Sequence, residues 1–457
     1  MADIAQLQKM RDRVVSGETR SYEYRHERLI RLRTAILNHE SAIYEALHKD
    51  LHKSREEAWV SEIGMVLAEL NEAIASTKKW MSRRKVRTNF LNWPSASYIY
   101  PEPLGLVLII APWNYPVQLL FNPLIAALAA GNVAVLKPSE YTPATDAVMK
   151  SIVQDAFTED DVLYVSGDGA TVVPDLMQSF AFDHVFYTGS TTVGRIVYKM
   201  AADKLVPVTL ELGGKSPTIV ESDANLKVAA RRIASMKFLN CGQTCVAPDY
   251  VLVHRSVREK FIDEMKIAIG KFYSSVPQKN DGFGRIVNVR QFDRLVGYLK
   301  DGNALVGGRH DRDDLFIEPT LLEEVSVDAP IMNEEIFGPL LPILVFDDFQ
   351  EARRIIERHP NPLAFYIFTE NKDRAERWLE SVPAGGACVN NVSMHLLNSR
   401  LPFGGRGASG LGAYHGKFGF DVFSHLKSVM HTPTWFDPAI KYPPLTGKLG
   451  LLKKMIR

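Results

Sequence analysis

The stretch that decides the fold is LGLVLIIAPWNYPVQLLFNPLIAALAAGNVAVLKPSE, residues 104–140. Two short apolar runs, residues 105–111 and 133–136, enclose a helical pattern at residues 117–130. Neighbouring parallel strands need a crossover between them, and a helix is the usual one. This stretch therefore predicts one strand–helix–strand unit of a parallel sheet.

The same alternation continues downstream. Apolar runs at residues 162–165, 184–188 and 206–210 alternate with helical patterns at residues 144–156, 171–180 and 191–202. Strands that read as continuous apolar runs are buried on both faces, as in a sheet with helices on both sides. We therefore expect an α/β protein whose first domain is a doubly wound parallel sheet of the nucleotide-binding kind.

The flanking segments have other patterns. Residues 5–83 are charged, with apolar positions at helical spacing, which predicts surface helices packed on something larger. Residues 86–102 contain β-favouring side chains and two prolines, which indicates an extended hairpin or arm. We expect this arm to leave the globular body.

Composition excludes several classes of protein. The chain has 457 residues, enough for at least two domains, and its 54 Lys and Arg nearly balance 53 Asp and Glu. That balance argues against a nucleic-acid partner and favours a small-molecule substrate. The three cysteines are too few for a disulfide framework and do not have zinc-site spacing, so no metal is expected. No apolar run reaches the length of a signal peptide or a membrane span, so we expect a cytoplasmic protein.

Two groups suggest chemistry. Cys245 lies in the Gly-containing loop NCGQTC, residues 240–245, and Glu211 follows an apolar strand. A thiol nucleophile and a carboxylate base are what the formation and hydrolysis of a thioester require. A lone cysteine is as often a buried small hydrophobe, so the prediction depends on the two groups occurring together.

The expected strand ends carry further polar segments. They are residues 112–114 after the first strand, 137–140 after the second and 189–194 after the fourth, and ligands of parallel sheets bind at such ends. The last segment opens a helix whose free N–H groups suit a pyrophosphate. Its spacing of Gly, four residues and Gly is neither the usual dinucleotide fingerprint nor a Walker loop, so alone it is weak evidence.

Taken in order, these motifs resemble the aldehyde dehydrogenase superfamily, and more narrowly its class 3 branch of dimeric enzymes. The resemblance covers about three quarters of the chain and rests on residues 112–116, 137–140, 189–194, 211–215, 242–248, 335–339, 401–405 and 414–417. It implies an enzyme that oxidises aldehydes to carboxylic acids. Cys245 is then the nucleophile, Glu211 activates the hydrolytic water, and the Asn114 amide stabilises the oxyanion.

The resemblance also implies a cofactor site and a substrate pocket. The cofactor residues it implies are Trp113, Lys137, Glu140, Gly189, Ser190, Gly194, Leu212, Glu335 and Phe337. A carboxylate at Glu140 favours NAD over NADP, although Lys137 beside it keeps NADP open. The expected pocket residues are Tyr115, Leu119, Leu239 and Phe403, an apolar set that favours medium-chain aliphatic or aromatic aldehydes.

The expected organisation has four parts. They are a cofactor domain at residues 1–84 and 104–212, a catalytic domain at 213–422, an oligomerisation element at 85–103 and 423–435, and a tail at 436–457. By analogy the chain forms a homodimer. The tail ends in a basic and apolar segment, residues 448–457, for which weak contact with a membrane surface is one reading and a frayed or packed end the favoured one.

Three alternatives stay open. An acylating relative would pass the thioester to CoA or phosphate, but such enzymes typically lack a carboxylate at the Glu211 position. A non-catalytic binding protein on the same fold is disfavoured, because Cys245, Asn114 and Glu211 are all present. Cys241 lies four residues before Cys245, which raises the hypothesis of a protective disulfide, although a spectator thiol is the favoured reading.

Overall fold

A computed structural model describes residues 3–456 of the chain. Its helices are α1 Ile4–Val15, α2 Tyr22–Asn38, α3 Glu40–Leu51, α4 Arg55–Ala58, α5 Gly64–Trp80, α6 Pro116–Ala130, α7 Pro143–Ala156, α8 Gly169–Ser179, α9 Thr191–Ala202, α10 Leu226–Phe238, α11 Arg258–Tyr273, α12 Val289–Tyr298, α13 Pro330–Asn333, α14 Phe349–Glu357, α15 Lys372–Ser381, α16 Gly416–Val422 and α17 Leu449–Ile456. A short π-helical segment, Trp59–Ile63, joins α4 to α5.

The strands are β1 Arg84–Val86, β2 Ala96–Pro103, β3 Leu106–Ile110, β4 Val133–Lys137, β5 Val162–Tyr164, β6 His184–Thr188, β7 Val208–Glu211, β8 Pro217–Val220, β9 Tyr250–His254, β10 Asn303–Val306, β11 His310–Asp311, β12 Phe316–Ile317, β13 Thr320–Glu323, β14 Leu340–Phe346, β15 Ala364–Phe368, β16 Gly386–Val389, β17 Gly410–Leu411 and β18 Ser424–His431. They form a six-stranded, a seven-stranded, a three-stranded and a two-stranded sheet.

The six-stranded sheet confirms the parallel α/β fold expected from residues 104–212. Its order is β17-β7-β6-β3-β4-β5, and every neighbouring pair is parallel except β17 with β7. All of β3 and β4 is buried. The strand order reverses direction at β3, so the loops after β3, β4 and β6 open toward a common crevice.

Two elements differ slightly from their predicted bounds, one because of a helix cap and one because of strand pairing. Helix α8 begins at Gly169 rather than 171, because the Asp168 carboxylate accepts a hydrogen bond from the Ala170 N–H at 3.2 Å. Strand β7 extends to Glu211, whose backbone pairs with Thr188 of β6. Glu211 therefore ends the strand instead of following it, and its position is fixed by the sheet.

The seven-stranded sheet builds the second half of the chain. Its order is β10-β13-β14-β9-β8-β15-β16, parallel throughout except for β10. Late in the chain, Gly410–Leu411 returns to the first sheet and pairs with the end of β7. This return falls within residues 213–422, the range predicted for the catalytic domain, and it brings the second half against Glu211. The division into domains stays a prediction, and residues 1 and 2 lie outside the described chain.

The predicted arm forms an antiparallel sheet. Strand β2 pairs with β18 over eight residues, from Ser424 opposite Pro103 to His431 opposite Ala96, and β1 covers the other edge. The N-terminal helices pack on α6 and α7, and Leu29, Leu32 and Ile36 are fully buried there. The helices of residues 5–83 thus supply a buried face, as the spacing predicted.

The tail contains one short helix, α17, which exposes more than half of the Leu449 and Leu451 side chains. Arg457, which belongs to the predicted basic segment, lies outside the described residues. Across residues 3–456, the helices are all too short or too polar to span a bilayer.

Candidate active site

Three chain segments bring the predicted catalytic residues together. Asn114 follows β3, Glu211 ends β7, and Cys245 lies between the 3-10 turn Leu239–Gly242 and β9. Asn114 and Glu211 are each 3% exposed, and Cys245 is half-buried. The first sheet thus supplies the amide and the carboxylate, and the loop before the second sheet's central strand supplies the thiol.

The Cys245 thiol lies among carboxylates. Burial raises its pKa to about 12, and the negative charges of Glu335 and Glu211 add to the rise. The backbone N–H groups of Cys245 and Val246 point at the sulfur and oppose that shift. The thiol is therefore neutral near pH 7 until its environment changes or a base takes its proton.

The loop that carries Cys245 has an unusual backbone. Asn240 and Cys241 both have left-handed conformations, with φ of 50° and 53°. A Cβ at Gly242 would lie 2.2 Å from the Gly338 carbonyl oxygen, so only glycine fits against the 338 loop. The Gln243 side chain then ties the loop down, donating to the Asn240 and Arg285 carbonyls at 3.0 and 2.9 Å.

The Asn114 side chain points toward this loop. Its Nδ2 donates to the Gln243 carbonyl at 3.0 Å, which leaves a second amide hydrogen for another acceptor. Its backbone carbonyl accepts from Asn240 Nδ2 at 2.7 Å and from Lys53 Nζ at 2.9 Å. The residue is held at both ends, so its amide has a fixed direction.

The Glu211 carboxylate differs from Asn114 in its hydrogen bonding. Neither oxygen has a hydrogen-bond partner within the described chain, although both are buried. Burial alone raises the pKa of this carboxyl well above its usual range. The buried hydroxyl of Tyr414 is close enough to feel the same charges. Burial raises the pKa of this hydroxyl well above its usual range, and the charges of Glu211 and Cys245 add to the rise.

The start of α9 has the form of an anion site. Ser190 caps the helix by accepting the Val193 N–H at 3.3 Å. A Cβ at Gly194 would lie 2.5 Å from Leu212 Cδ2, and one at Gly189 would lie 2.3 Å from Tyr187 Oη. Gly194 lets the helix approach Leu212, the residue after β7, and Gly189 leaves room for the Tyr187 hydroxyl of β6. The first N–H groups of such a helix are free to bind an anion.

Lys137 is the last residue of β4, and Glu140 follows it in the next loop. Lys137 is 1% exposed, and its Nζ donates to the Pro138 carbonyl at 2.5 Å and approaches Glu140 Oε2 at 3.5 Å. The Glu140 side chain is about one third exposed and faces Gly169, where a Cβ would lie 3.5 Å from Oε2. A cation and a carboxylate thus share one corner of the crevice.

Glu335 reaches across from the second sheet. A Cβ at Gly213 would lie 1.8 Å from Glu335 Oε2, so the carboxylate passes directly over this glycine. Burial and the nearby Asp249 charge raise the pKa of Glu335 well above its usual range. The Glu335 loop is anchored by Lys215, which is paired with Asp249 and donates to the carbonyls of Ile331 and Glu334 at 2.8 and 3.0 Å.

Two aromatic residues lie beside this loop. Trp113 and Phe337 meet edge to face, with ring centroids 5.3 Å apart, and Phe337 has a left-handed backbone with φ of 52°. The strained backbone turns its ring toward Trp113, between the two sheets.

The predicted pocket residues lie in two places. Tyr115 shares a hydrogen bond of 2.6 Å with Thr244, next to the nucleophile, and Leu119 lies one turn farther along α6. Leu239 opens the turn before Cys245 and is half-buried. Phe403 stacks on His415 with a centroid distance of 5.2 Å and bonds through its backbone to Tyr414. Tyr115 thus contacts the residue before Cys245, and the assignment of the other three residues to the pocket stays a prediction.

A cavity of about 320 Å³ lies beside His415, the residue on which Phe403 stacks. It is lined by Met65, Ala68, Glu69, Asn71, Glu72, Asn122, Leu396, Leu397, Ser399 and His415. Asn122 follows Tyr115 by seven residues, so both lie on one face of α6. The sequence did not point to this cavity, because its residues are scattered over charged helices and a loop.

The structure also bears on the remaining cysteines. Cys241 is fully buried and all three cysteines are free thiols. Burial raises the pKa of Cys241 far above the usual range. A buried, protonated thiol reacts slowly, which favours the spectator reading over the disulfide. Within residues 3–456, no group of three or more His, Cys, Asp or Glu is placed to hold a metal ion.

Comparison with known proteins gives a consistent picture. The model of the aldehyde dehydrogenase family matches residues 7–429. The chain is 45% identical over 442 residues to 4,4'-diaponeurosporen-aldehyde dehydrogenase of Staphylococcus aureus, covering 96% of each chain. It is 44% identical over 446 residues to aldehyde dehydrogenase family 3 member H1 of Arabidopsis thaliana, covering 96% of this chain and 92% of that one.

Solved structures agree. The chain superimposes on the substrate-bound state of Staphylococcus aureus AldH with a TM-score of 0.97 and 43% identity, covering 100% of both chains. An indole-3-acetaldehyde dehydrogenase in complex with NAD+ matches with a TM-score of 0.85 and 28% identity, covering 94% of this chain and 88% of that one.

Proposed function

The chain belongs to the aldehyde dehydrogenase family, and on that premise we propose how its own residues oxidise an aldehyde to a carboxylic acid. It is an aldehyde dehydrogenase that uses NAD, with NADP as an alternative cofactor. The observation that carries the assignment of roles is the meeting of a thiol, a positioned amide and an unpartnered carboxylate in one buried crevice.

Cys245 is the nucleophile. Two backbone N–H groups already face its sulfur and favour the thiolate, while the Glu335 and Glu211 charges oppose it. Once the thiol has released its proton to water, attack of the sulfur on the aldehyde carbon gives a thiohemiacetal alkoxide on Cys245. Loss of hydride from that carbon leaves a thioester on the same residue.

Asn114 stabilises the alkoxide. Its Nδ2 uses one hydrogen on the Gln243 carbonyl and keeps one for the developing oxyanion, together with the backbone N–H of Cys245. Donors that are fixed before the reaction need no rearrangement when the charge appears. The two bonds to the Asn114 carbonyl provide that fixing.

Glu211 activates the water that hydrolyses the thioester. A carboxylate without hydrogen-bond partners in a buried site has a raised pKa and is a stronger base than one in water. Its negative charge near Cys245 also disfavours the Cys245 thiolate in the resting enzyme.

The crevice suits a dinucleotide. The start of α9, the corner formed by Lys137 and Glu140, and the Glu335 carboxylate over Gly213 supply a pyrophosphate site and two ribose contacts. A bound nicotinamide would supply the hydride acceptor, and its positive charge would favour the Cys245 thiolate. Glu140 accepts ribose hydroxyls and repels a 2′-phosphate, which supports a preference for NAD.

The substrate is a medium-chain aliphatic or aromatic aldehyde. Tyr115, Leu119, Leu239 and Phe403 present apolar surface near the nucleophile, and buried apolar surface is what such substrates complement. We expect hexanal and benzaldehyde to be oxidised with higher kcat/KM than a semialdehyde with a carboxylate. Equal kcat/KM values would contradict this assignment.

A homodimer formed through the β1-β2-β18 sheet is part of the proposal. An antiparallel sheet with a free edge is suited to pairing with another chain. A reducing, cytoplasmic location agrees with three free thiols. The exposed leucines of α17 leave weak membrane-surface contact as a role for the tail.

The rival function is transfer of the acyl group to CoA. The experiment is NADH formation with NAD and a panel of aldehydes, with and without CoA, for the wild type and Cys245→Ala. CoA-independent turnover that disappears in Cys245→Ala supports acid formation. Turnover that requires CoA would move the assignment to the acylating enzymes, and no turnover with either NAD or NADP would support a non-catalytic protein.

A further inference from the structure

A buried ion pair lies behind the active site, and the mechanism above uses only one of its bonds, the one from Lys53 to the Asn114 carbonyl. Lys53 Nζ lies 2.6 Å from Glu62 Oε1, and the side chains of both residues are 0% exposed. Lys53 follows α3, and Glu62 lies in the π-helical segment between α4 and α5. Burying two charges is costly, so the pair needs further partners to be tolerated.

The partners of Lys53 belong to the active site. Its Nζ donates to the backbone carbonyl of Asn114 at 2.9 Å and lies 4.1 Å from the centroid of the Tyr115 ring. The same Asn114 carbonyl accepts from Asn240 Nδ2, and the Asn240 backbone N–H donates to Glu57 at 2.8 Å. Lys53 therefore holds the residue whose side chain faces the reacting carbonyl.

The partners of Glu62 fix the next helix. Glu62 Oε2 accepts the backbone N–H groups of Val117 and Gln118 at 3.1 and 2.9 Å. These are first-turn donors of α6, which begins two residues after Asn114, and a carboxylate there also complements the helix dipole. One ion pair thus ties together the Asn114 carbonyl on one side and the start of α6 on the other.

We propose that Lys53 and Glu62 are positioning residues for the Asn114 amide, and that they set kcat rather than the affinity for cofactor or aldehyde. The proposal rests on the role assigned to Asn114 above. An amide aimed at an oxyanion must be held to within a fraction of an ångström, and the pair fixes the peptide that carries it. Neither residue contacts the reacting atoms, so both act through Asn114.

The alternative is that the pair only stabilises the fold. Removing one partner of a buried pair leaves an uncompensated charge and lowers stability in either case. A drop in melting temperature therefore does not separate the two roles. A measurement of coupling to Asn114 does separate the two roles, because residues that act through one group have non-additive effects.

The experiment is a double-mutant cycle on the full chain with NAD and hexanal. It compares the wild type, Lys53→Met, Asn114→Ala and the double variant by kcat, KM for hexanal, the dissociation constant for NAD and melting temperature. We expect Lys53→Met to lower kcat about tenfold or more, but by no more than the roughly 100- to 1,000-fold typical of losing one oxyanion donor. In the Asn114→Ala background the same change should alter kcat by less than about twofold.

Arg28→Met is the matched control. Arg28 of α2 has its Nε 2.8 Å from Oδ2 of Asp161, which directly precedes β5, in another largely buried pair. This variant should lower the melting temperature and leave kcat unchanged. Glu62→Gln repeats the cycle should Lys53→Met fail to fold, because it keeps the side-chain shape and removes the charge.

Two results would overturn the proposal. One is an unchanged kcat in a destabilised Lys53 or Glu62 variant, and the other is a kcat loss that multiplies fully with that of Asn114→Ala. Failure of the proposed function would look different, because the wild type itself would then show no oxidation of hexanal.

Discussion

Asn114 and Glu211 stand at the carboxyl ends of two strands of the same sheet and are equally buried, yet they are held in opposite ways. Asn114 accepts two hydrogen bonds at its carbonyl and donates one from its amide. Glu211 has no side-chain partner in the described chain. A group that must point in one direction is surrounded by partners, and a group that must exchange protons is kept without them.

The largest expected effect comes from Glu211→Gln. An amide cannot accept a proton from water, so steady-state turnover should fall by about 100- to 10,000-fold, as for other general bases. The first turnover should survive, because Glu211 is needed only for hydrolysis. Stopped-flow NADH measurement should show a burst close to the enzyme concentration, followed by a slow phase. Loss of the burst would place Glu211 before the thioester and break the contrast with Asn114.

Asn114→Ala should have the next largest effect. Removing an oxyanion donor typically costs about 100- to 1,000-fold in kcat. Here the burst itself should slow, because the donor is used when the alkoxide forms. Asn132→Ala is the matched control, since this Asn is also buried but bonds only to backbone groups at Gly105, Ala127 and Phe423. A fast burst in Asn114→Ala would contradict its role.

A smaller effect concerns the Cys245 thiol. Negative charge nearby disfavours the thiolate, so removing Glu335 or Glu211 should lower the pKa of Cys245 from about 12. The shift should be on the order of one unit, and larger in Glu335→Gln than in Glu211→Gln. The pH dependence of alkylation by iodoacetamide measures it, with Cys245→Ala as the blank. An unchanged pKa in both variants would show that these carboxylates do not carry charge near the thiol.

The smallest expected effect concerns Glu69, a buried carboxylate that has one hydrogen-bond partner and so lies between Asn114 and Glu211 in how it is held. Glu69 is 8% exposed and accepts one hydrogen bond, from the Gly416 N–H at 2.7 Å, and burial raises its pKa from 4.5 to about 7. The folded state binds this proton more tightly than the unfolded state. The resulting stability is fully present below about pH 4.5 and is lost as pH rises through about 7.

The test compares the wild type with Glu69→Gln by thermal unfolding across this pH range. The stability of the wild type relative to the variant should fall by up to about 3 kcal/mol as the pH rises. A constant difference in melting temperature from pH 4.5 to pH 8 would show that one backbone bond suffices to keep the Glu69 pKa at its usual value.

Much of the fold could be predicted from local pattern. The apolar runs and helical spacing of residues 104–212 predicted the strands and helices of the parallel sheet, because each strand is buried on both faces and each helix is amphipathic or buried. The return of Gly410–Leu411 to the edge of that sheet could not be predicted. Two residues carry no periodicity, and their pairing with β7 depends on the packing of the whole second half.

The residues of the site also differ in whether the sequence could predict them. Cys245, Glu211 and Asn114 follow from motifs at strand ends and in a glycine-containing loop. Lys53 and Glu62 do not, because lysine and glutamate in a charged helical region are usually exposed. Only their complete burial and their bonds to Asn114 and α6 distinguish them.

The most direct test of the account is to find where the acyl group is held. Glu211→Gln would be mixed with NAD and hexanal, quenched in acid after one turnover, and measured by intact mass and peptide mapping. The account predicts one hexanoyl adduct per chain, on Cys245, and none when Cys245 is also replaced by Ala. No adduct, or an adduct on Cys241 or Cys388, would contradict it.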